Sequence, residues 1–199
     1  MSPRLVLAST SESRRRILSA AGIAFETVSP HAEEEPTKRE LIAGKTRVNK
    51  IATALAELKA LSVSKTMPDV LVLGADQLLV CEGKFYDKPK DMVDAQRILR
   101  ELRGHTHELV TAVILAKDSA ILWRHVESAS LTMRAFSDAF LDSYLKREGN
   151  AVLAPVGCYR IEGAGAQLFA RVKGDFFAIQ GLPLLPLLDA LRAQGVTAK

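Results

Sequence analysis

Short apolar runs alternate with amphipathic stretches along this chain, a pattern that predicts an α/β fold. Strands are predicted over residues 4–8 and 24–30, and between them a helix over residues 13–21 that Gly22 ends. Apolar residues at close to helical spacing then predict the longest helix of the chain over residues 38–61. An acidic loop is expected to lead into this helix.

The rest of the chain continues the alternation. An apolar strand that begins at Asp69 is predicted to be interrupted at Gly74–Asp76, to resume, and to turn at Glu82–Gly83. The later elements are predicted as a helix, a hairpin, a helix, a strand and a final helix, over residues 91–104, 108–136, 137–149, 166–172 and 181–195. Because no internal repeat or linker separates two parts, residues 1–199 are predicted to form one domain.

Composition narrows the class of protein. The chain has 199 residues, of which 48% are hydrophobic and 25% charged, so it is long enough for one globular core or for two small lobes that share a cleft. The formal net charge is +4, but acidic and basic residues are interspersed. This balance favours a small anionic ligand, and no specific nucleic-acid partner is expected.

The cysteines and the apolar segments bear on the cellular compartment. Cys81 and Cys158 lie far apart without metal-type spacing, which indicates reduced thiols. The N-terminal apolar run is too short for a secretory signal, and the apolar segment at residues 181–195 is too short and too interrupted by proline to cross a bilayer. We therefore expect a cytoplasmic protein with no membrane partner.

The segment LASTSESRRRIL, residues 7–18, brings hydroxyl and guanidinium groups to a predicted helix start. A helix N-terminus carries partial positive charge, so arginines are unfavourable there unless they reach solvent or meet an anion. Taken alone, the three arginines at 14–16 fit a solvated helix face as well as they fit an anion site. The hydroxyl cluster beside them favours a phosphate site, although neither a P-loop nor a dinucleotide-binding glycine motif is present.

Asp76 is the carboxylate that stands out, because its neighbours in VLVLGADQLLV are almost all apolar. Next to phosphates, such a carboxylate holds a divalent cation or orients and deprotonates a water molecule. The alternative is a bulge on an edge strand, with Asp76 facing solvent. The acidic residues 33–35 could supply a second metal ligand, although such a run is more often a solvated loop.

Four further residues are candidates for chemistry. Lys50 and Lys88 could neutralise phosphate oxygens as point charges, but each taken singly also fits a surface lysine. His105 and His107 would share one face of a strand. No third nitrogen or sulfur ligand is near them in the sequence, so a structural role is preferred to a zinc site.

Several motifs taken together resemble the Maf family of septum-formation-inhibitor-like nucleoside triphosphate pyrophosphatases. They are LASTSESRRRIL, the acidic run before the long helix, GADQ, DKP, LRGHTHELVT and GLPL, in this order and over nearly the whole chain. The resemblance implies an α/β fold of the ITPase-like (Maf/HAM) type, a mixed sheet flanked by helices, with two lobes around a deep cleft. It also implies a homodimer, a nucleoside triphosphate substrate and a divalent cation, Mg²⁺ or Mn²⁺.

The resemblance assigns roles to individual residues. The family's positions fall on Ser11, Arg14 and Arg15 for phosphate binding, on Asp76, Glu34, Lys50 and Lys88 for catalysis, and on Asp76 and Glu34 for the metal. In the implied reaction the carboxylates position the metal and a water molecule, while the cations stabilise charge that develops on the phosphates. His107 matches a histidine of the family pattern that is not a zinc ligand.

Two positions resemble the subgroup that acts on 7-methyl-GTP, namely the Asp-Gln pair at residues 76–77 and Glu162. A glutamate attracts the positively charged N7-methylguanine, whereas the glutamine of the pyrimidine-directed subgroup is neutral. Glu12 and Ser13 depart from the subgroup pattern, and Ser13 replaces an aromatic residue. Stacking on the base would then come from Phe85, Tyr86 or Tyr159.

Two other functions stay open at this stage. One is a dTTP or UTP pyrophosphatase of the same family. The other is a non-catalytic, nucleotide-binding regulator of septum formation, which the basic composition and the family's name suggest. Pyrophosphate release with and without a chelator distinguishes an enzyme from a binding protein.

Overall fold

A computed structural model of the protein describes residues 3–198. The strands are β1 Leu5–Ala8, β2 Glu26–Val28, β3 Leu71–Cys81, β4 Lys84–Tyr86, β5 Thr106–Lys117, β6 Ala120–Met133 and β7 Phe169–Lys173. The helices are α1 Glu12–Ala20, α2 Glu34–Ala43, α3 Val48–Ser64, α4 Met92–Leu102, α5 Asp138–Glu148, α6 Phe176–Ile179 and α7 Leu184–Ala193, with 3-10 turns at Gly149–Leu153 and Ala164–Leu168.

The strands form a mixed sheet in the order β2-β1-β3-β5-β6-β7, and β4 pairs with β3. Strand β1 is parallel to both β2 and β3, whereas β3 with β4 and β6 with β7 are antiparallel. Strands β1, β3 and β5 are buried along nearly their whole length. This burial explains their continuous apolar runs. The predicted α/β class with a mixed sheet flanked by helices is confirmed.

The chain divides into two compact units. Of the described residues, unit 1 comprises 3–77, 110–127 and 176–198, and unit 2 comprises Leu78–Leu109 and Ser128–Asp175. The core of unit 1 joins side chains of β1, α1, β3, β5 and α7, among them Leu7, Leu18 and Leu73. In unit 2, α4 and α5 are linked by a hydrogen bond from Gln96 to Asp142.

The prediction of one long helix over residues 38–61 is wrong, because the structure has two helices there. The chain forms α2 and α3, and residues 44–47 separate them, with Lys45 at a φ of 53°. Helix α3, at 17 residues, is the longest in residues 3–198. The expected acidic loop is also corrected, because Glu34 and Glu35 form the first turn of α2, where negative charge complements the helix dipole.

Strand β3 runs without interruption from Leu71 to Cys81, so the predicted break at Gly74–Asp76 is wrong. The bulge on an edge strand is also excluded, because β3 lies between β1 and β5 and Asp76 is only 7% exposed. The predicted turn at Glu82–Gly83 is confirmed, with both residues at positive φ. A polar residue inside an apolar strand here marks a buried site rather than the end of an element.

The later elements agree with the sequence, with one exception. Helix α5 begins after the Ser137 cap, whose hydroxyl accepts from the Phe140 amide, and ends at Gly149. The strand predicted over 166–172 begins only at Phe169, after a 3-10 turn. No helix within residues 3–198 has both the length and the apolar character needed to cross a membrane.

Candidate active site

Two carboxylates of unit 1 meet at the Lys59 ammonium. Its Nζ lies 2.6 Å from Asp76 Oδ1 and 2.8 Å from Glu34 Oε2. The side chains of Lys59 and Asp76 are each only 11% exposed. One cation held between two carboxylates at low exposure is costly to build, which is typical of a functional site rather than of a surface ion pair.

The approach of α3 to β3 creates this cluster. A Cβ atom on Gly74 would lie 2.5 Å from the carbonyl oxygen of Ala56 and 2.7 Å from Cβ of Ala60, so the helix backbone packs directly on the strand at this glycine. Side chains two residues apart in a strand share a face, so Asp76 points to the same side as the helix. Lys59 adjoins Ala60 and thereby reaches Asp76.

Glu34 comes to the cluster from a third element. It is the first residue of α2, and its carboxylate contacts Lys59 while 35% of its side chain remains exposed. The acidic run has no side-chain cap hydrogen bond at Glu33, so its negative charges themselves stabilise the start of the helix. This run therefore supplies a site carboxylate and a helix N-terminus at once.

Arg14 completes the cluster from α1. Its side chain donates from Nε to the Gly181 carbonyl at 2.9 Å and from Nη1 to the Ser9 hydroxyl at 3.2 Å. Burial lowers the pKa of the Arg14 guanidinium, whereas the negative charges of Asp76 and Glu34 act to raise it. The buried arginine thus feels two negative charges but makes no direct ion pair with any residue of 3–198, which suits a group that binds a further anion.

The other residues of the LASTSESRRRIL segment have separate places. The Ser11 hydroxyl caps α1 and accepts from the Arg14 amide at 3.5 Å, and the Ser11 amide donates to the Ser9 hydroxyl at 3.2 Å. Arg15 and Arg16 are exposed. The arginines at this helix start are therefore not equivalent, since Arg14 is buried and held in one orientation.

Lys50, the helix lysine assigned from the resemblance, lies exposed on α3. It precedes Lys59 by nine residues, which at about 100° per residue puts the two on opposite helix faces. The lysine at the carboxylates is Lys59, which sequence reasoning missed. A signal was available, because Lys59 follows the buried residues Leu55 and Ala56 by four and three positions, which places it beside the inner face of the helix.

Lys88 and Glu162 belong to unit 2, and both are exposed. Lys88 follows β4, and Glu162 lies in the turn before the second 3-10 segment. The structure brings together Arg14, Glu34 and Asp76 of the predicted site residues. The assigned roles of Lys88 and Glu162 stay predictions.

The predicted stacking residue Tyr159 is instead part of the unit 2 core. Its hydroxyl lies 2.7 Å from Nε2 of His107, and its ring packs against Phe169 at 4.7 Å between centroids. His107 is 1% exposed, and burial lowers the pKa of its imidazole to about 4. Tyr159 is 5% exposed, so its ring is not available to stack on a ligand.

Comparison with known proteins bears on the family of this chain. Residues 4–194 match the family described as Maf-like protein. A protein of Granulibacter bethesdensis named nucleoside triphosphate pyrophosphatase is 49% identical, over 95% of this chain and 96% of its own. A protein of the same name from Caulobacter vibrioides is 50% identical, over 96% of each chain.

A third relative carries a more specific name. The 7-methyl-GTP pyrophosphatase of Rhizobium meliloti is 44% identical, over 98% of each chain. The match to the family extends over almost the entire chain, and the relatives are aligned over almost their entire lengths. The chain therefore belongs to the Maf family.

Proposed function

We propose that this protein hydrolyses a nucleoside triphosphate between the α and β phosphates, which yields a nucleoside monophosphate and pyrophosphate. The observation that carries the proposal is the cluster of Lys59, Asp76 and Glu34 with the buried Arg14 beside it, in a chain of the Maf family. Relatives named nucleoside triphosphate pyrophosphatase support the same reaction.

Each group of the cluster has a role in this reaction. Arg14 and Lys59 supply positive charge for the phosphate oxygens, on which negative charge develops as the bond breaks. Asp76 orients the attacking water molecule and accepts its proton. Glu34 shares the Lys59 ammonium with Asp76, so it holds that lysine at the reacting phosphate.

The carboxylate pair also fits a divalent cation. Asp76 Oδ1 and Glu34 Oε2 already converge on one positive charge, the Lys59 ammonium, within 2.8 Å. Mg²⁺ and Mn²⁺ prefer oxygen ligands, and Mg²⁺ is commonly bound by one or two carboxylates together with substrate phosphates. Bound there, such an ion would neutralise phosphate charge and polarise the attacked phosphorus centre.

For the base, we propose 7-methyl-GTP as the preferred substrate, read by Glu162. The support is the charge of that exposed glutamate and the name of the relative from Rhizobium meliloti. A carboxylate gains a charge-assisted contact with a cationic base that it does not gain with neutral guanine, thymine or uracil. The competing substrates are dTTP and UTP.

Pyrophosphate release from purified protein tests the reaction. We expect release with Mg²⁺ or Mn²⁺, loss of release with EDTA, and a drop of roughly a thousandfold in kcat for Asp76→Asn, which keeps the size of the side chain but removes its charge. An Asp76→Asn variant with normal turnover would contradict the assigned role of Asp76. Salt-sensitive, EDTA-insensitive DNA binding without any turnover would instead support the regulator.

A panel of 7-methyl-GTP, GTP, dTTP, UTP and CTP tests the base. We expect 7-methyl-GTP to give the highest kcat/KM, and Glu162→Gln to lower its advantage over GTP by about tenfold with little change for GTP itself. Glu108→Gln, a change of another exposed glutamate, is the matched control and should leave the ratio unaltered. A panel led by dTTP or UTP overturns the base assignment and leaves the reaction standing.

A further inference from the structure

Four successive backbone carbonyls of unit 1, from Ala178 to Gly181, accept hydrogen bonds from side chains. Thr111 Oγ1 donates to Ala178 at 2.9 Å, and Gln77 Nε2 donates to Ala178 at 2.9 Å and to Ile179 at 3.2 Å. The other two donors are the Ser13 hydroxyl, at 2.8 Å from the Gln180 oxygen, and Arg14 Nε, at 2.9 Å from the Gly181 oxygen. We call residues 178–181 the carbonyl segment.

The carbonyl segment begins with the last two residues of α6, a helix of only four residues, and continues two residues beyond it. The last carbonyls of a helix lack partners within the helix, so they take other donors or water. Here β3, β5 and α1 all provide donors, although these elements are far from residue 180 in sequence. The segment is therefore held by side chains of three distant elements in addition to a local bond from the Gly181 amide to the Ala178 carbonyl at 2.9 Å.

The orientation of the Gln77 amide follows from its partners. The Thr111 hydroxyl donates to Ala178, so its oxygen is the acceptor for Gln77, at 2.8 Å. Both carbonyl partners of Gln77 can only accept. The amide nitrogen must therefore face the Ala178 and Ile179 carbonyls, and Oε1 lies on the side of Gly181, the last residue of the segment.

Gly181 joins Gln77 to Arg14. Its φ is +99°, and a Cβ built on it would lie 3.6 Å from Arg14 Nε and 3.9 Å from Gln77 Oε1. The Gly181 carbonyl takes Nε of Arg14, while Ser9 takes Nη1. Two bonds on two different nitrogens fix the plane of a guanidinium group and the direction of its remaining nitrogen.

We propose that Gln77 and Ser13 are positioning residues that act through Arg14. They hold the carbonyl segment so that the Gly181 oxygen meets Arg14 Nε, and Arg14 is thereby pre-oriented for a substrate phosphate. Gln77 adjoins Asp76 on β3, so one stretch of strand places the carboxylate and, through residues 178–181, the arginine. This inference rests on the proposed function for its kinetic test but not for its spectroscopic one.

The spectroscopic test follows the Arg14 Nε–H group by ¹H–¹⁵N NMR, with the resonance assigned by its loss in Arg14→Lys. In the wild type we expect a resolved signal with slow hydrogen exchange, because the group is buried and bonded. Gln77→Ala should move the signal toward that of solvated arginines and speed its exchange at least tenfold. An unchanged Arg14 signal in Gln77→Ala overturns the proposal, whether or not the protein has activity.

Gln96→Ala is the matched control. Gln96 also donates from its amide nitrogen, at 2.9 Å, but to the Asp142 carboxylate of unit 2. Its loss should leave the Arg14 signal unaltered. If Gln77→Ala does not give a cooperative thermal transition, Ser13→Ala removes a single bond to the segment and is read against the same signal, with the same result required.

The kinetic test is a double-mutant cycle. Gln77→Ala should lower kcat/KM by about tenfold to a hundredfold in the wild type, but by less than about twofold in an Arg14→Lys background, because the arginine through which it acts is already gone. An undiminished loss in the Arg14→Lys background overturns the proposal, since Gln77 would then act independently of Arg14. A wild-type protein without turnover defeats the proposed function and leaves the NMR test to decide this inference.

Discussion

The cluster around Lys59 in unit 1 and the group around His107 in unit 2 hold titratable side chains in opposite ways. In unit 1, Lys59, Asp76 and Glu34 are held as charged partners, and Arg14 lies beside them. In unit 2, burial lowers the pKa of His107 to about 4 and raises the pKa of the Cys158 thiol to about 12, so both are neutral at pH 7.

The hydrogen bonds follow the same division. The groups around His107 bond as neutral donors and acceptors, as in the pair of His107 Nε2 with the Tyr159 hydroxyl and the 3.0 Å bond from the Tyr144 hydroxyl to the Cys158 carbonyl. A buried neutral network stabilises one packing arrangement at moderate cost.

Buried charges cost far more, so they persist where the chemistry needs them. Unit 2 also holds a charged pair, Arg160 with Glu148 at 2.8 Å, but there one cation meets a single carboxylate, whereas Lys59 of unit 1 meets two. We therefore expect the reactive groups in unit 1.

The largest effect is expected from removing the central charge of unit 1. Lys59→Met should lower kcat/KM about a thousandfold, or about 4 kcal/mol of transition-state stabilisation, because it removes a phosphate-neutralising cation and leaves two carboxylates facing each other. Steady-state kinetics measures this loss. Lys50→Met, on the opposite face of the same helix, is the control and should stay within about twofold; equal losses in the two variants would show that the cluster has no special role.

The second largest effect is expected from disturbing the contact of α3 with β3, the strand that carries Asp76. Gly74→Ala places a methyl group 2.5 Å from the Ala56 carbonyl oxygen, and a backbone atom cannot move as a side chain can. We expect a loss of about 3 kcal/mol in the free energy of unfolding, measured with urea. Gly163→Ala meets only the Arg160 carbonyl, at 3.8 Å, and should change stability by less than about 0.5 kcal/mol. Comparable losses in both would mean that α3 does not pack tightly at Gly74.

Acid should affect unit 2 through His107. Its folded-state pKa of about 4 is below the unfolded value of 6.5, so its contribution is fully present above pH 6.5 and is lost as the pH falls toward and through 4. The unfolded chain binds the extra proton in that window, which costs up to about 3 kcal/mol. Urea unfolding from pH 7 to pH 4 measures the slope. His107→Asn should flatten it, whereas His105→Asn, at an exposed site, should not; an unchanged slope in His107→Asn contradicts the assignment.

The smallest effect tests the neutral hydrogen bond itself. Nδ1 of His107 has no hydrogen-bond partner within residues 3–198, so Tyr159→Phe would leave both ring nitrogens without one. We expect a loss of about 1–2 kcal/mol in unfolding free energy and no change in kcat. Tyr86→Phe is the control. The Tyr86 hydroxyl is hydrogen-bonded to Glu101, whose side chain is partly exposed, so water can replace the hydroxyl that this substitution removes. A fall in kcat for Tyr159→Phe would contradict the expectation that this pair of unit 2 contributes to stability and not to catalysis.

Most helix and strand boundaries could be predicted from the sequence, because they depend on neighbouring residues. The caps at Ser11, Asp91 and Ser137 and the turn at Glu82–Gly83 are readable from the chain because they depend on neighbouring residues only. The sequence pattern does not reveal the break between α2 and α3, because the apolar spacing continues across it. The acidic run is predicted as a loop, although its negative charges favour a helix start.

From the residues alone the family and the α/β class could be predicted, and both predictions are confirmed. The sequence also singled out Arg14, Glu34 and Asp76 as candidates, and the structure brings these three together.

Which lysine joins these three residues depends on how α3 packs on β3 at Gly74, because Lys50 and Lys59 lie on opposite faces of the helix. The spacing of Lys59 from Leu55 and Ala56 indicates the inner face of the helix but not the strand that covers it. The roles of Gln77 and Ser13 have the same origin, since their partners lie about a hundred or more residues away in the chain. Contacts at such distances follow from how elements pack, and no local pattern of residues encodes them.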